Sequence, residues 1–377
     1  MIRSRKLWLG LGITILLLGL FLTTAGLGRM LEALGDANYF YVIPAVGLYL
    51  VSVLFRTLRW QMLMRHMRPV SVKRLYPVVV VGYMANNLLP LRLGELVRSY
   101  YVSEREGISK TSALATIFVE RVLDAIVLLL FIAVIALFVP LSGLAEAFED
   151  WSGIPAPLLV VGFGAPFVLA MAVLLLFAAY PERTKEGATL LTKPLPDRLR
   201  APLRGLVDLF LEGLMPLRSA RTLALLLAVS APVWLFEAGL FFLIGYSFGL
   251  DVAYDNVGDM AVAMVLVTAI ANIGSSVPAA PGGVGLFELV SRETLVLLPM
   301  ADVARPVAAA FSTVAHAALL LPMIALGQVF LWTEHLSLRR LSRAGASGSN
   351  GPAERAEVSH SQGLTPAAAS SDGNKLE

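Results

Sequence analysis

Residues 278–293 read PAAPGGVGLFELVSRE, a stretch with two prolines and three glycines between two long apolar runs. Glu288, Arg292 and Glu293 follow on its C-terminal side. Proline and glycine interrupt helices, and charged side chains are costly in hydrocarbon. Irregular backbone at membrane depth is tolerated only where protein buries it or where it lines a water-filled cavity. The stretch therefore predicts a turn at membrane depth beside a polar cavity.

The composition of the whole chain is that of a membrane protein. Its 377 residues are 57% hydrophobic and 15% charged, whereas soluble domains are about 45–50% apolar and about 25% charged. The mean hydropathy is +0.75. The chain has no cysteine, which excludes disulfides and cysteine-ligated metals. The sequence contains no ATP-binding or zinc motif and no nucleic-acid signature, so we expect neither a cofactor nor a nucleic-acid partner.

The distribution of charge predicts how the chain crosses the membrane. Basic residues gather in 56–74 and 180–221, and acidic residues gather in 140–156 and 249–259. Because basic loops stay in the cytoplasm, the first two stretches are cytoplasmic and the other two lie outside. Both termini are then cytoplasmic, and we expect an inner (cytoplasmic) membrane. The apolar segments are 7–27, 39–55, 75–90, 113–139, 157–179, 222–248, 260–279, 286–299 and 306–332.

Two regions fit the charge rule only as re-entrant hairpins. If 75–90 crossed the membrane, the basic stretch 92–112 would lie outside and the acidic loop 140–156 inside. A hairpin over 75–103 that returns to the cytoplasm, and a second over 260–299 that enters from outside, remove the conflict. The predicted fold class is an all-α polytopic membrane protein with six spanning helices and two oppositely oriented re-entrant hairpins.

The hairpins divide the chain into two halves of the same pattern. Residues 1–140 and 156–335 each read helix, helix, hairpin and helix, and the two halves start on opposite sides. Such an inverted repeat with broken helices is a transporter architecture, with its site where the broken helices meet. The alternative is a chance similarity between the two hairpin tips. Residues 342–377 read as a disordered tail.

The backbone around Gly282, Gly283 and Gly285 is the first candidate binding site. Glycines before a helix let backbone amides and the helix dipole converge on an anion such as phosphate. The alternative is a plain turn whose glycines adopt positive φ. The sequence leaves both interpretations open.

Glu95 and Glu288, one in each predicted hairpin, are the second candidates. An acid within the membrane could bind a cationic headgroup or carry a proton. The local alternatives are an ion pair between Glu95 and Arg98 and a helix cap for Glu288. These alternatives also stay open.

A charged face begins the last spanning segment of the first half. Glu120, Arg121 and Asp124 share this face, and carboxylates four residues apart repel each other unless a cation joins them. Arg92 or Arg98 could be that cation. We favour a structural salt-bridge cluster over direct contact with a substrate.

Arg56 and Arg59 lie at the inner end of the second spanning segment, in the stretch RTLRW. Arginine binds phosphate through two parallel hydrogen bonds, and basic sites at this depth bind anionic headgroups. The alternative is anchoring of the helix by positive charge and an interfacial tryptophan. Glu237 and His316 are lone polar residues in apolar helices, and for each we expect a hydrogen bond between helices rather than catalysis.

Four motifs occur in the order RTLRW, NNLLPLRLGELVR, VERVLD and PGGVGLFE. Together they resemble the flippase-like membrane domain of lysylphosphatidylglycerol synthases, over roughly residues 5–335. In that family the domain is taken to move an aminoacylated phospholipid from the inner to the outer leaflet. The resemblance implies substrate binding by Arg56, Arg59, Asn87, Arg92, Glu95, Arg98, Gly282, Gly283, Gly285 and Glu288. It implies a structural or gating role for Pro90, Gly94, Glu120, Arg121, Asp124 and Pro281.

The full synthases continue into a soluble aminoacyl-transferase domain, whereas a short polar tail follows here, so we do not expect synthesis of lysyl lipid. We expect a lipid translocase rather than an enzyme, whose partner is a membrane lipid with an anionic or zwitterionic headgroup. One alternative is a membrane-embedded transferase acting on a lipid-linked sugar, with Glu120 and Asp124 as its candidate residues. Another is a regulatory subunit of an envelope-synthesis complex. A homo-oligomer also stays open.

Overall fold

The computed structural model describes residues 5–89, 93–276 and 281–333, and the regular elements in these ranges are all helices. The predicted all-α class is therefore confirmed. The predicted tail over 342–377 lies outside the described residues. The α-helices are α1 (Arg5–Ala25), α2 (Leu27–Asp36), α3 (Val42–Met64), α4 (Val72–Leu88), α5 (Gly94–Glu106), α6 (Lys110–Ala136), α7 (Ser142–Ser152), α8 (Ala156–Ala179), α9 (Pro181–Thr192), α10 (Asp197–Gly213), α11 (Ala220–Ser247), α12 (Val257–Gly274), α13 (Leu286–Leu297) and α14 (Arg305–Thr333).

Several of these helices are long and apolar enough to cross a membrane. Among the described residues, four segments meet that description alone: Tyr39–Met64, Ala220–Ser247, Val257–Gly274 and Arg305–Thr333. The number becomes six if each of two sharply bent helix pairs counts as one span. The protein is thus a multi-pass membrane protein.

Two helices differ from their predicted roles: α12, predicted as a hairpin arm, is apolar enough to span, and α6, predicted as a span, carries charges near its middle. We predict α12 as one arm of a hairpin, yet it is apolar enough to span a membrane. Its 18 residues reach about 27 Å at about 1.5 Å per residue, just short of a hydrocarbon core of about 30 Å. We predict α6 as a span, and it is long enough with 27 residues, but Glu120, Arg121 and Asp124 lie near its middle. Such charges in a span face the protein interior rather than lipid.

Two sharp bends end the predicted spans over 7–27 and 157–179. α1 and α2 meet at 82°, on either side of Gly26, whose φ of 71° cannot continue a right-handed helix. α8 and α9 meet at 102°, where Pro181 begins α9 at a position that needs no backbone N–H donor. The first span predicted over 7–27 therefore ends at the first bend. The stretch 180–221, expected as a cytoplasmic loop, contains α9 and α10.

The two halves of the chain use the same helix pairings. α3 packs along α11. α4 packs against α5 and α14, just as α12 packs against α13 and α6. Arg98 of α5 bonds Glu120 of α6, 22 residues later, and Ser291 of α13 bonds Ser312 of α14, 21 residues later. Exchanging α3–α6 for α11–α14 therefore preserves these contacts, as an internal repeat requires.

The turn of the second predicted hairpin lies next to the end of α4. The turn Pro281–Gly283 between α12 and α13 packs against α4. A Cβ added at Gly282 would lie 3.4 Å from the carbonyl oxygen of Asn87, near the end of α4. Pro90 and Arg92, which belong to the first tip, lie outside the described residues. The second tip thus contacts the helix that leads into the first.

Candidate functional site

Gly94 allows α5 to begin in direct contact with α4. A Cβ at Gly94 would lie 2.2 Å from the Gly82 carbonyl oxygen and 2.5 Å from the backbone nitrogen of Asn86. Any side chain at this position would push the two arms of the hairpin apart. The close approach brings Glu95 and Arg98, in the first turns of α5, towards α6.

The two arginines of α3 are buried and paired with acids on other helices. Arg56 Nη2 lies 2.7 Å from Glu237 Oε2 on α11, and Arg56 Nη1 lies 3.8 Å from Asp124 Oδ2 on α6. Arg59 Nη1 lies 2.7 Å from Asp124 Oδ1 and donates to the Ser230 hydroxyl at 2.8 Å. Both arginines are buried and join α3 to neighbouring helices.

Glu120 lies at the centre of these charges and is fully buried. It accepts two hydrogen bonds from Arg98, at 3.0 and 2.9 Å, and one from Arg121 at 2.7 Å. Arg59 Nη2 lies 3.7 Å from Glu120 Oε1. Arg98 is thus a cation beside Glu120, as the sequence allowed, and it gives both terminal nitrogens to Glu120 rather than to Glu95. We call the charge cluster the set Arg56, Arg59, Arg98, Glu120, Arg121, Asp124 and Glu237.

Two tryptophans cover arginines of the charge cluster. The guanidinium carbon of Arg98 lies 3.7 Å from the ring centroid of Trp60, and that of Arg56 lies 4.4 Å from the ring of Trp234. Such contacts contribute about 2 kcal/mol when both groups are desolvated. Trp234 was not singled out from the sequence, because a tryptophan in an apolar helix has no distinguishing local pattern.

Glu237 is bound from two sides. Arg56 approaches it from α3, and Asn272 Nδ2 of α12 donates to its Oε1 at 2.9 Å. The hydrogen bond between helices that we expected for Glu237 is therefore present. Asn272 was missed, although one signal could have found it: it follows an alanine in AIANI, as Asn86 does in YMANN.

Arg121 is the most exposed arginine of the charge cluster. Its side chain is 27% exposed, whereas that of Arg98 is 5% exposed. Arg121 Nη2 contacts Glu120, Asp124 and, at 3.3 Å, the Tyr83 hydroxyl. A small cleft between α4, α5 and α6 is lined in part by Tyr83, Asn86, Glu95 and Arg121.

The charges of the cluster do not balance. Four guanidinium groups face three carboxylates, which leaves an excess of positive charge in a desolvated region. Buried charge is costly unless it is paired. Glu95 at the rim of the cleft, or an anion bound there, would compensate the excess.

The glycines of the second hairpin form a turn and the start of α13. Gly282, Gly283 and Gly285 have φ of 63°, 76° and 90°. The Gly285 amide donates to Glu288 Oε2 at 2.7 Å, so Glu288 caps its own helix, as one of our alternatives required. A Cβ at Gly285 would lie 2.8 Å from the backbone nitrogen of Leu18. One amide of the supposed anion site is therefore already bound within the protein.

His316 on α14 ties the second tip to the middle of that helix. Its Nδ1 lies 2.7 Å from Glu288 Oε1, and its Nε2 lies 2.9 Å from the carbonyl oxygen of Gly282. The ring of Phe287 stacks on the imidazole, with 4.2 Å between centroids. The hydrogen bond between helices that we expected for His316 is thus present.

The family model of the lysylphosphatidylglycerol synthase transmembrane region matches residues 7–327 of this chain. The chain belongs to this family. The resemblance predicted from the four motifs is therefore confirmed. No solved structure matches the chain significantly.

Three relatives of the lysylphosphatidylglycerol synthase membrane-region family illustrate its range. A UPF0104 membrane protein of Methanothermobacter thermautotrophicus is 26% identical over 304 residues, which cover 77% of this chain and 84% of the relative. UPF0104 membrane protein PH1989 of Pyrococcus horikoshii is 24% identical over 304 residues, covering 74% and 83%. Glycosyltransferase AglD of Haloferax volcanii is 26% identical over 330 residues, which cover 82% of this chain but 51% of AglD.

Proposed function

We propose that this protein moves a lipid with a phosphate-bearing headgroup between the leaflets of the membrane. The observation that carries the proposal is the cleft between α4, α5 and α6. There Arg121 and Glu95 offer opposite charges beside a buried cluster with an excess of positive charge. A phosphate can bind to Arg121, and an amine or hydroxyl group of the headgroup can bind to Glu95. An anionic or zwitterionic headgroup fits this pair.

The proposed architecture has six spans and two re-entrant hairpins that enter from opposite sides, with both termini in the cytoplasm of a bacterial or archaeal inner membrane. The shared helix pairings of the two halves support an inverted repeat. The contact between the second tip and α4 supports a common site at the meeting of the broken helices. Opening of one hairpin at a time would expose this site to one leaflet and then to the other.

Arg121 would act by exchanging partners. In the closed arrangement its terminal nitrogen is held by Glu120, Asp124 and Tyr83. A lipid phosphate offers hydrogen bonds of the same charge-assisted kind, each with a net contribution of about 1.5–3 kcal/mol. Replacing the protein partners of Arg121 by a phosphate therefore needs no large net change in free energy, which suits a carrier that must also release its cargo.

A sugar-bearing lipid is a second candidate cargo. The similarity to AglD, whose name describes a glycosyltransferase, favours a lipid-linked sugar, although this chain covers half of that protein. Transfer chemistry is less well supported than transport. Glu120 and Asp124, the acids we considered for catalysis, are each bound by arginines and buried, so neither is free to act as a base.

Purified protein in liposomes tests the proposal. Fluorescent phosphatidylglycerol, phosphatidylethanolamine and a polyprenyl-phosphate sugar are supplied separately, and loss of fluorescence to a membrane-impermeant quencher measures exchange between leaflets. Faster exchange than in protein-free liposomes supports translocation, and the fastest lipid defines the cargo. Formation of a new glycolipid from an added sugar donor would instead support the transferase, and inertness in both assays would favour a regulatory subunit.

A further inference from the structure

The hydrogen bonds around His316 define how many protons it shares with Glu288. A carbonyl oxygen can only accept, so His316 Nε2, at 2.9 Å from the Gly282 oxygen, must carry a hydrogen. The contact of 2.7 Å between His316 Nδ1 and Glu288 Oε1 also needs a hydrogen between its two atoms. That hydrogen belongs either to an imidazolium beside a carboxylate or to a carboxylic acid beside a neutral imidazole.

In both descriptions the pair holds one proton more than a neutral histidine beside an ionised glutamate. The pair is then neutral overall, which suits its burial, since Glu288 is 7% exposed and His316 is 3% exposed. Loss of the shared proton would set two lone pairs against each other across the same contact. The contact would lengthen, while Glu288 Oε2 could still accept from the Gly285 amide.

Other charged groups on the helices around the pair either have partners of their own or are exposed. On α13 itself, Arg292 binds Glu293 and the Phe21 carbonyl oxygen, and Glu293 also binds Arg305 of α14. On α11, Glu237 is held by Arg56 of α3 and by Asn272. The charged groups on α2 and at the start of α4 are exposed: Arg29, Glu32, Asp36, Lys73 and Arg74.

The position of the pair connects a proton to the movement of the second hairpin. Glu288 belongs to the first turn of α13, His316 to the middle of α14, and Gly282 to the tip that packs against α4. A change in the Glu288–His316 contact therefore changes how firmly the tip is held against α14.

We infer that Glu288 and His316 form a proton-binding site that couples opening of the second hairpin, and so leaflet exchange, to the uptake and release of one proton. The inference rests on the proposed translocation function. The pair takes up its proton from water when the hairpin closes and returns it to water when the hairpin opens. Uptake from one side of the membrane and release to the other would let a proton gradient drive the lipid.

A pH gradient across liposomes that contain the protein tests this coupling. Coupling of one proton per lipid predicts that a gradient of about one pH unit shifts the distribution of a labelled lipid between leaflets by up to about tenfold. His316→Gln and Glu288→Gln should give the same distribution with and without the gradient, whatever their rate of exchange. His66→Gln is the matched control, because His66 is exposed and contacts the Glu212 carbonyl oxygen of α10 rather than the pair. The lipid distribution in liposomes with His66→Gln should shift with the gradient as it does with wild type.

Infrared difference spectra of the purified protein test the site without transport. When the pH is raised, wild type should lose a carboxylic acid or imidazolium band that both variants lack. Absence of this band overturns the proton site, even if a variant fails to fold. If wild type exchanges lipid but its distribution does not change with the gradient, the coupling is overturned and translocation is not. If wild type shows the band but no exchange at all, the proposed function is overturned and the proton site is not.

Discussion

Arg98 and Glu120 form an ion pair with two hydrogen bonds, at 3.0 and 2.9 Å, between α5 and α6. Glu120 is fully buried and also lies within reach of Arg121 and Arg59. The second arm of the first hairpin is therefore attached to α6 by charge rather than by apolar packing alone. The position of the hairpin depends on this one carboxylate, which gives the first prediction.

Glu120→Gln should strongly destabilise the protein. The substitution removes a negative charge that lies beside three arginines, and breaking a buried ion pair from one side costs about 3–5 kcal/mol. Glu95→Gln, at a partly exposed acid of the same hairpin, is the control and should cost about 1 kcal/mol or less. Thermal unfolding of the purified variants measures both. Equal changes in the two variants would contradict the central role of Glu120.

Gly94→Ala should destabilise the first hairpin. The new Cβ would lie 2.2 Å from the Gly82 carbonyl oxygen, so the arms must separate. Such overpacking costs about 1–3 kcal/mol. Gly47→Ala in α3 is the control, because no atom lies within 4 Å of its added Cβ. It should stabilise the helix by about 0.5–1 kcal/mol. Thermal unfolding in which Gly94→Ala is as stable as Gly47→Ala would refute the close approach of α4 and α5.

Gly285→Ala should be more harmful than Gly283→Ala. Both glycines have positive φ, where an alanine carries backbone strain of about 1–2 kcal/mol in the left-handed helical region. Gly285, with φ of 90° and ψ of −49°, lies outside that region, so the strain of its alanine is larger. At Gly285 the new Cβ also meets the Leu18 backbone nitrogen at 2.8 Å, whereas at Gly283 the nearest atom lies at 3.7 Å. The difference in unfolding free energy between the variants therefore reports the packing of α1 on the second tip together with the greater backbone strain at Gly285. If Gly283→Ala is the less stable variant, the packing of α1 is not the reason that position 285 requires glycine.

Single cysteines test the proposed topology, since the natural chain has none. Ser103→Cys and Ser219→Cys should react with an impermeant maleimide only from the cytoplasm. Ser142→Cys and Asp255→Cys should react only from outside. Labelling of position 103 from outside alone would make the first hairpin a true crossing, and the inverted repeat would have to be abandoned.

The main helices could be predicted from the sequence because apolar length and charge decide them. The apolar segment 222–248 corresponds to α11, and the hairpin break over 278–285 lies between α12 and α13. The bend at Gly26 was not predicted, because one glycine in an apolar run is usually tolerated within a helix. α9 and α10 were not predicted either, since their mixed charge reads as a loop when only hydropathy is considered.

The residues of the candidate site could be named more readily than their partners. Arg56, Glu120 and Glu288 stood out as charges in or near apolar segments. Their partners depend on how the helices are rotated against each other. Arg56 meets Glu237 across 181 positions of the chain, a contact that no local spacing encodes. By contrast, the cap between Glu288 and Gly285 is local, and the sequence offered it as an alternative.

Leaflet exchange of fluorescent phosphatidylglycerol in liposomes, compared between wild type and Arg121→Gln, tests the proposed translocation most directly. Arg183→Gln, at an arginine that stacks on Tyr180 outside the charge cluster, serves as the control. Wild type and the control should both exceed protein-free liposomes. Arg121→Gln should be slower by about tenfold or more, because a hydrogen bond to a charged group contributes about 1.5–3 kcal/mol. Exchange by the folded Arg121→Gln variant at the wild-type rate, or by wild type at the protein-free rate, would contradict translocation through this cleft.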